Sequence, residues 1–90
     1  MDKEAVLGIV KSRLGITSQV RDTYLLPIIS GVISEIENQQ GITLKSDRPD
    51  HVMFVADYAE YRYSNKDDPT LPRHLQWRLH NLVVGEKHVE

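Results

Sequence analysis

Apolar residues recur at helical spacing in four stretches of this chain, and they almost never alternate as a strand requires. The first stretch carries Val6, Leu7, Ile9, Val10 and Leu14. Asp2 is placed to cap it, Glu4 lies in its first turn, and Gly15 is placed to stop it. A helix over about residues 3 to 14 is predicted. The second stretch is capped by Thr17 or Ser18 and brings Val20, Tyr24, Leu25, Ile28, Ile29, Val32, Ile33 and Ile36 to one side before "ENQQG" closes it at Gly41. It is the longest element and the expected centre of the core. Pro27 removes a backbone donor within it and Gly31 softens the same region, so a kink or a restart is expected there.

Residues 42 to 48 lose the helical period; Ile42 and Leu44 alternate with polar residues, which suits a short extended loop held by two side chains. Pro49 fits a first helical position with Asp50 beside it, and "PDHVMFVADYAEYRY" predicts a third helix over about 49 to 63. Apolar residues lie on nearly all its sides, so it should be covered from several directions. "SNKDDPTLP" reads as a loop, and a fourth helix over about 71 to 84 follows. Leu71, Leu75, Leu79 and Leu82 form its inner face, with Arg73, Gln76 and His80 opposite. Gly85 is expected to end it, leaving residues 85 to 90 as a frayed tail. The expected fold is an all-α bundle of about four helices in a single domain spanning residues 1 to 90, with the long second helix at its centre.

Composition narrows what such a bundle does. Ninety residues without a cysteine exclude a disulfide framework, thiolate metal sites and thiol catalysis. A domain this small gains from helix packing or from partners. No apolar run approaches the roughly 20 residues of a membrane span, and the start "MDKEAVLGIVKSRLG" has no cleavage signature, so a soluble, unprocessed protein is expected. The net charge is −2, and the eleven basic residues are scattered among thirteen acids. A nucleic-acid binder normally gathers its basic residues on one face.

The stretch "KSRLGITSQVRDTYLLP" poses the main alternative, because a helix, a polar turn and a second helix also describe a helix-turn-helix DNA reader. Residues 10 to 26 would form that motif, with about 18 to 26 entering the groove. Against it stand Lys11 where the first helix of the motif has a small residue, Pro27 directly after the reading segment, and Arg21 as the segment's only basic residue. A packing hinge is the expected reading. His51, His74, His80 and His88 have no metal-ligand spacing and are expected at the surface. Glu35 and Glu37, and Asp67 and Asp68, read as solvated neighbours rather than an acid–base pair. No nucleophile elbow, phosphate loop or dinucleotide glycine pattern is present, so neither enzyme nor cofactor is expected.

"DYAEYRYSN" is the densest unusual feature: Tyr58, Tyr61 and Tyr63 surround Arg62 at the end of the third helix. Tyrosine, tryptophan and arginine contribute most per contact when buried between chains. The three tyrosines either line a core edge with their hydroxyls in water or, with Arg62, make one candidate interface; Arg73 with Trp77 on the fourth helix makes another, unless Trp77 plugs the small core.

The order of these features resembles the head-tail connector proteins of long-tailed bacteriophages, also called adaptor or head completion proteins. The resemblance rests on a short helix ending in "RLGIT", a polar turn with Asp22, the long "YLLPIISGVISEIENQQG" helix and the third helix "HVMFVADYAEYRYSN". It covers nearly the whole chain. Pro27 departs from the run of helix formers usual in the long helix. The resemblance implies a subunit that assembles with copies of itself as a ring, commonly twelvefold, at the virion head–tail interface, after synthesis in the bacterial host cytoplasm. Such a ring binds the portal protein and extends its DNA channel, through which DNA slides without sequence-specific binding. It then docks the next connector, stopper or tail protein. No cofactor or membrane is implied. A third reading is an unrelated small adaptor that binds one protein partner through the fourth helix.

Overall fold

The Asp2 carboxylate accepts from the backbone N–H groups of Glu4 and Ala5 at 3.0 and 3.4 Å, and so starts the first helix, α1, at Lys3–Leu14. Gly15 stops it with a φ of 71°. The Gly15 N–H then reaches Ser12 O at 3.4 Å and the Ile16 N–H reaches Lys11 O at 2.9 Å, the paired return bonds that satisfy a helix C-terminus. In this computed structural model residues 1–65 and 71–87 are described, and among them the elements are four α-helices.

The second helix, α2, spans Asp22–Gln40 and begins later than its apolar pattern suggests. Residues 18 to 22 are committed to turns: the Val20 N–H donates to Ser18 Oγ at 3.1 Å, and the Asp22 N–H donates to Gln19 O at 3.1 Å. Val20, counted by spacing as a core position, is 81% exposed on this turn. Neither Thr17 nor Ser18 caps α2; Arg21 occupies the N-cap and makes no side-chain capping bond. The helix then runs through Pro27 without restarting. Pro27 and Thr23, whose carbonyl loses its helical donor, are both exposed, so water can satisfy that group. The opposite face buries Leu25, Ile29, Val32, Ile33 and Ile36. At roughly 1.5–3 kcal/mol per buried side chain, that burial outweighs a proline cost of about 3 kcal/mol. Gly41, at φ 67°, closes α2 with its N–H on Glu37 O at 3.1 Å.

Ile42 and Leu44 pack into the core from the connecting loop, as their alternation predicts, and the Leu44 N–H donates to Glu37 Oε2 at 2.9 Å. The third helix, α3, is Pro49–Ser64, with proline in its first turn. The fourth, α4, is Arg73–Lys87, so Gly85 does not end it. Pro72 precedes α4, and its carbonyl accepts from the N–H groups of Leu75 and Gln76 at 3.0 and 2.9 Å. Of the expected tail, residues 86 and 87 are helical and 88 to 90 lie outside the described residues.

Although α2 is the longest helix, α3 is the one against which α1, α2 and α4 all pack. Its buried residues His51, Phe54, Val55, Ala56, Tyr58 and Ala59 spread around most of its circumference, which explains why its sequence is apolar on so many sides. One hydrophobic cluster joins all four helices and the loop, from Val6 and Val10 through Ile29 and Phe54 to Leu75 and Leu82. The Lys11 ammonium lies 2.8 Å from the Asp22 carboxylate across the α1–α2 turn. Of the segment that a DNA reader would use, only Asp22–Leu26 is helical.

Candidate functional site

The three tyrosines at the end of α3 do not form one surface. Tyr58 is buried, its hydroxyl donating to Glu35 of α2, while Arg62 donates to that hydroxyl at 2.7 Å and to Glu35 at 3.0 Å. The Arg62 guanidinium also lies 4.8 Å from the centre of the Tyr58 ring. Burial first, and then the Glu35 carboxylate, push the Tyr58 hydroxyl pKa up to about 12, against the opposing charge of Arg62. Glu35 is thus the closing member of an internal triad rather than a solvated acid. Tyr63 points elsewhere, accepting from Arg21 and meeting the Tyr24 ring edge-on at 5.7 Å between centres. Tyr61 lines an open cleft between α3 and α4 with Glu60, His74 and Arg78.

The fourth helix behaves differently. Its inner face buries Leu75 and Leu82, and Trp77, on the outer face, is 65% exposed. The indole stacks on the His80 ring at 5.8 Å and 24°. Arg73 and Gln76 line the same shallow surface one turn earlier, so Arg73 and Trp77 stand together as their spacing implies. Val84 extends the strip with 40% exposure. Arg73, Trp77, His80 and Val84 follow one another at intervals of four, three and four residues, the spacing of a helix–helix contact seam.

A polar node that spacing did not reveal joins three helices. The Asp57 carboxylate on α3 receives Arg13 from α1 on one oxygen and Arg78 from α4 on the other, and Arg13 also reaches Glu60 at 3.4 Å. Burial alone would raise the Asp57 pKa. The two guanidinium groups outweigh it and hold the carboxyl below its ordinary value, while the bond to Asp57 raises Arg13. Partners separated by 44 and 21 positions leave no local signal in a sequence.

His51 corrects the expectation that the histidines lie at the surface. It is 1% exposed, and its Nδ1 accepts the Lys45 N–H at 3.0 Å, which ties the loop to α3. His74 and His80 are exposed, and His88, Asp67 and Asp68 lie outside the described residues. Among the described residues no three histidine or acidic side chains converge to hold a metal ion, and no helix is long and apolar enough to cross a membrane. Compared with known proteins, the chain matches no family model, no curated protein and no solved structure.

Proposed function

We propose that this protein is a structural assembly subunit of the head-tail connector kind. In this reading copies of it form a ring beneath the portal of a phage capsid, extend the DNA channel and present a docking surface to the next connector, stopper or tail protein. The observation that carries the reading is Trp77, a large aromatic left 65% exposed on the outer face of α4, with Arg73 and the stacked His80 beside it. Tryptophan and arginine are the residue types that dominate binding energy between chains. A single exposed tryptophan with an arginine one turn away is costly to leave in water and has no enclosed cavity around it. The surface therefore fits a partner protein better than a small substrate.

The helix-turn-helix regulator has less support. The turn after α1 is long, and Leu25 of the would-be reading helix is fully buried. Native mass spectrometry of the purified chain over a wide concentration range, with particle images of any large species, tests the proposal. Closed rings with a central opening are expected. A stable dimer that binds duplex DNA with strong salt dependence would replace the proposal with the regulator.

A further inference from the structure

Residues 42 to 48 cross from α2 to α3 without helical structure, so their backbone groups must find partners elsewhere. Three successive residues of this loop are fastened to three different helices. The Leu44 N–H donates to Glu37 Oε2 on α2 at 2.9 Å, and the Lys45 N–H donates to His51 Nδ1 on α3 at 3.0 Å. Ser46 Oγ accepts the Asp2 N–H, at the start of α1, at 2.7 Å. Ile42 and Leu44 hold the same loop from inside the core.

The His51 fastening is sensitive to a proton at the atom that makes it. A ring nitrogen that accepts a hydrogen bond carries no proton, so the Lys45 bond assigns the proton of the neutral ring to Nε2. The second proton of an imidazolium goes to Nδ1, where it meets the Lys45 N–H as donor against donor. The docked loop and a protonated ring therefore exclude one another. His51 is 1% exposed, so a charged ring held in place is cut off from water. It is also the third residue of α3, where the positive end of the helix dipole opposes a cation. The charged groups around the junction do not lift the exclusion. Lys45 and Asp47 on the loop are exposed, Glu37 on α2 is engaged by the Leu44 N–H, and Asp2 on α1 is engaged by the N–H groups of Glu4 and Ala5. Asp50, next to His51 on α3, draws positive charge toward the ring but is held by Arg48 through bonds of 3.2 and 3.1 Å. From α4, Arg78 reaches this side of α3 and is committed to Asp57.

We infer that His51 is an acid-released latch: neutral, it holds the α2–α3 loop at Lys45, and protonated at Nδ1, it lets that stretch go and turns toward water. A proton that binds only the released form favours release as pH falls, and docking as pH rises. Release at Lys45 loosens the neighbouring tie from Ser46 to the start of α1. The burial of Ile42 and Leu44 depends on no proton, so the change is a local opening rather than unfolding.

Nitrogen-labelled parent protein, followed by NMR from about pH 8 to about pH 4, tests the latch. The His51 ring signals report its protonation, and amide exchange reports the loop. Exchange at Lys45 is expected to become at least about tenfold faster as the ring protonates, once its intrinsic pH dependence is divided out. Gly41, whose N–H is held by the Glu37 backbone carbonyl at 3.1 Å, is expected to keep its rate. His51→Gln offers an amide oxygen to the Lys45 N–H and takes up no proton, so its corrected exchange at Lys45 is expected to stay flat. A ring that protonates while Lys45 remains protected overturns the latch, and so does a ring that stays neutral down to pH 4. Equal acceleration at Lys45 and Gly41 overturns it too, because the whole junction is then loosening in acid. These three outcomes are read on the parent and do not depend on the folding of the variant. Acid opening of Lys45 in His51→Gln as large as in the parent assigns the effect to another group.

Discussion

The end of α3 and the outer face of α4 contain the same kinds of residue and meet opposite fates. On α3, Tyr58 and Arg62 find Glu35 on α2, and Tyr63 finds Arg21 and Tyr24, so aromatic rings and cations are satisfied inside one chain. On α4, Trp77 stacks on its own helical neighbour His80 and stays 65% exposed among the described residues. The difference lies in geometry rather than composition. A helix packed on three sides brings neighbours to most of what it carries, whereas α4 packs chiefly on α3 and its far face is exposed among the described residues. Residue types that look alike in a sequence are left open to a partner to different degrees, according to what the fold places beside them.

The contrast is broken most severely at Tyr58. Tyr58→Ala removes a buried ring and the hydroxyl between Glu35 and Arg62, and should lower stability by about 3–5 kcal/mol in a denaturant titration. A loss under about 1 kcal/mol would show that the triad is peripheral. The mirror substitution is Trp77→Ala. It should leave unfolding within about 0.5 kcal/mol of the parent, as an exposed side chain does, yet weaken assembly by about 2 kcal/mol or more, read as the concentration midpoint in native mass spectrometry. Equal effects on folding and assembly would erase the distinction between the two regions.

The smallest effect sharpens the comparison through pH. The Tyr58 proton is held to about 12 in the folded state, against an ordinary tyrosine value of 10.0. Its raised pKa contributes stability that is fully present below pH 10 and is lost as pH rises through about 12. Tyr58→Phe lacks this dependence, so unfolding curves across that alkaline window should fall more steeply for the parent than for the variant. Parallel curves would mean that burial and the Glu35 carboxylate do not hold the proton on the Tyr58 hydroxyl.

Much of the bundle was legible because it is written in local spacing. Gly15 and Gly41 each end a helix in the left-handed conformation, Asp2 and Pro49 start helices where their chemistry allows, and Ile42 with Leu44 bury from the loop. Misreadings arose where a local rule met a longer-range preference. Val20 fits the helical period of α2, but the turn closed by Ser18 and Gln19 takes its backbone first. Pro27 does not stop α2 because the apolar face on the other side keeps it going. Gly85 lacks the left-handed conformation of the other two and is carried within α4. The candidate site was half legible. Arg73 and Trp77 are neighbours because they are four residues apart on one helix. The dispersal of the tyrosines, the burial of His51 and the Asp57 node depend on which elements lie beside α3, and no spacing within one segment carries that information.

The position of α3 along the chain also bears on how the protein comes to be folded. The helix that all the others pack against is third in order, so the first 48 residues leave a growing chain before the surface that will cover them exists. Until Phe54 and Val55 arrive, Val6, Val10, Leu25 and Ile29 have only each other for shelter. Helix formation is fast but marginal without a packed face. The nascent chain therefore passes through a stage at which its α1–α2 hairpin lacks its main cover, and the core is complete only when α3 and then α4, with Leu75 and Leu82, have been added.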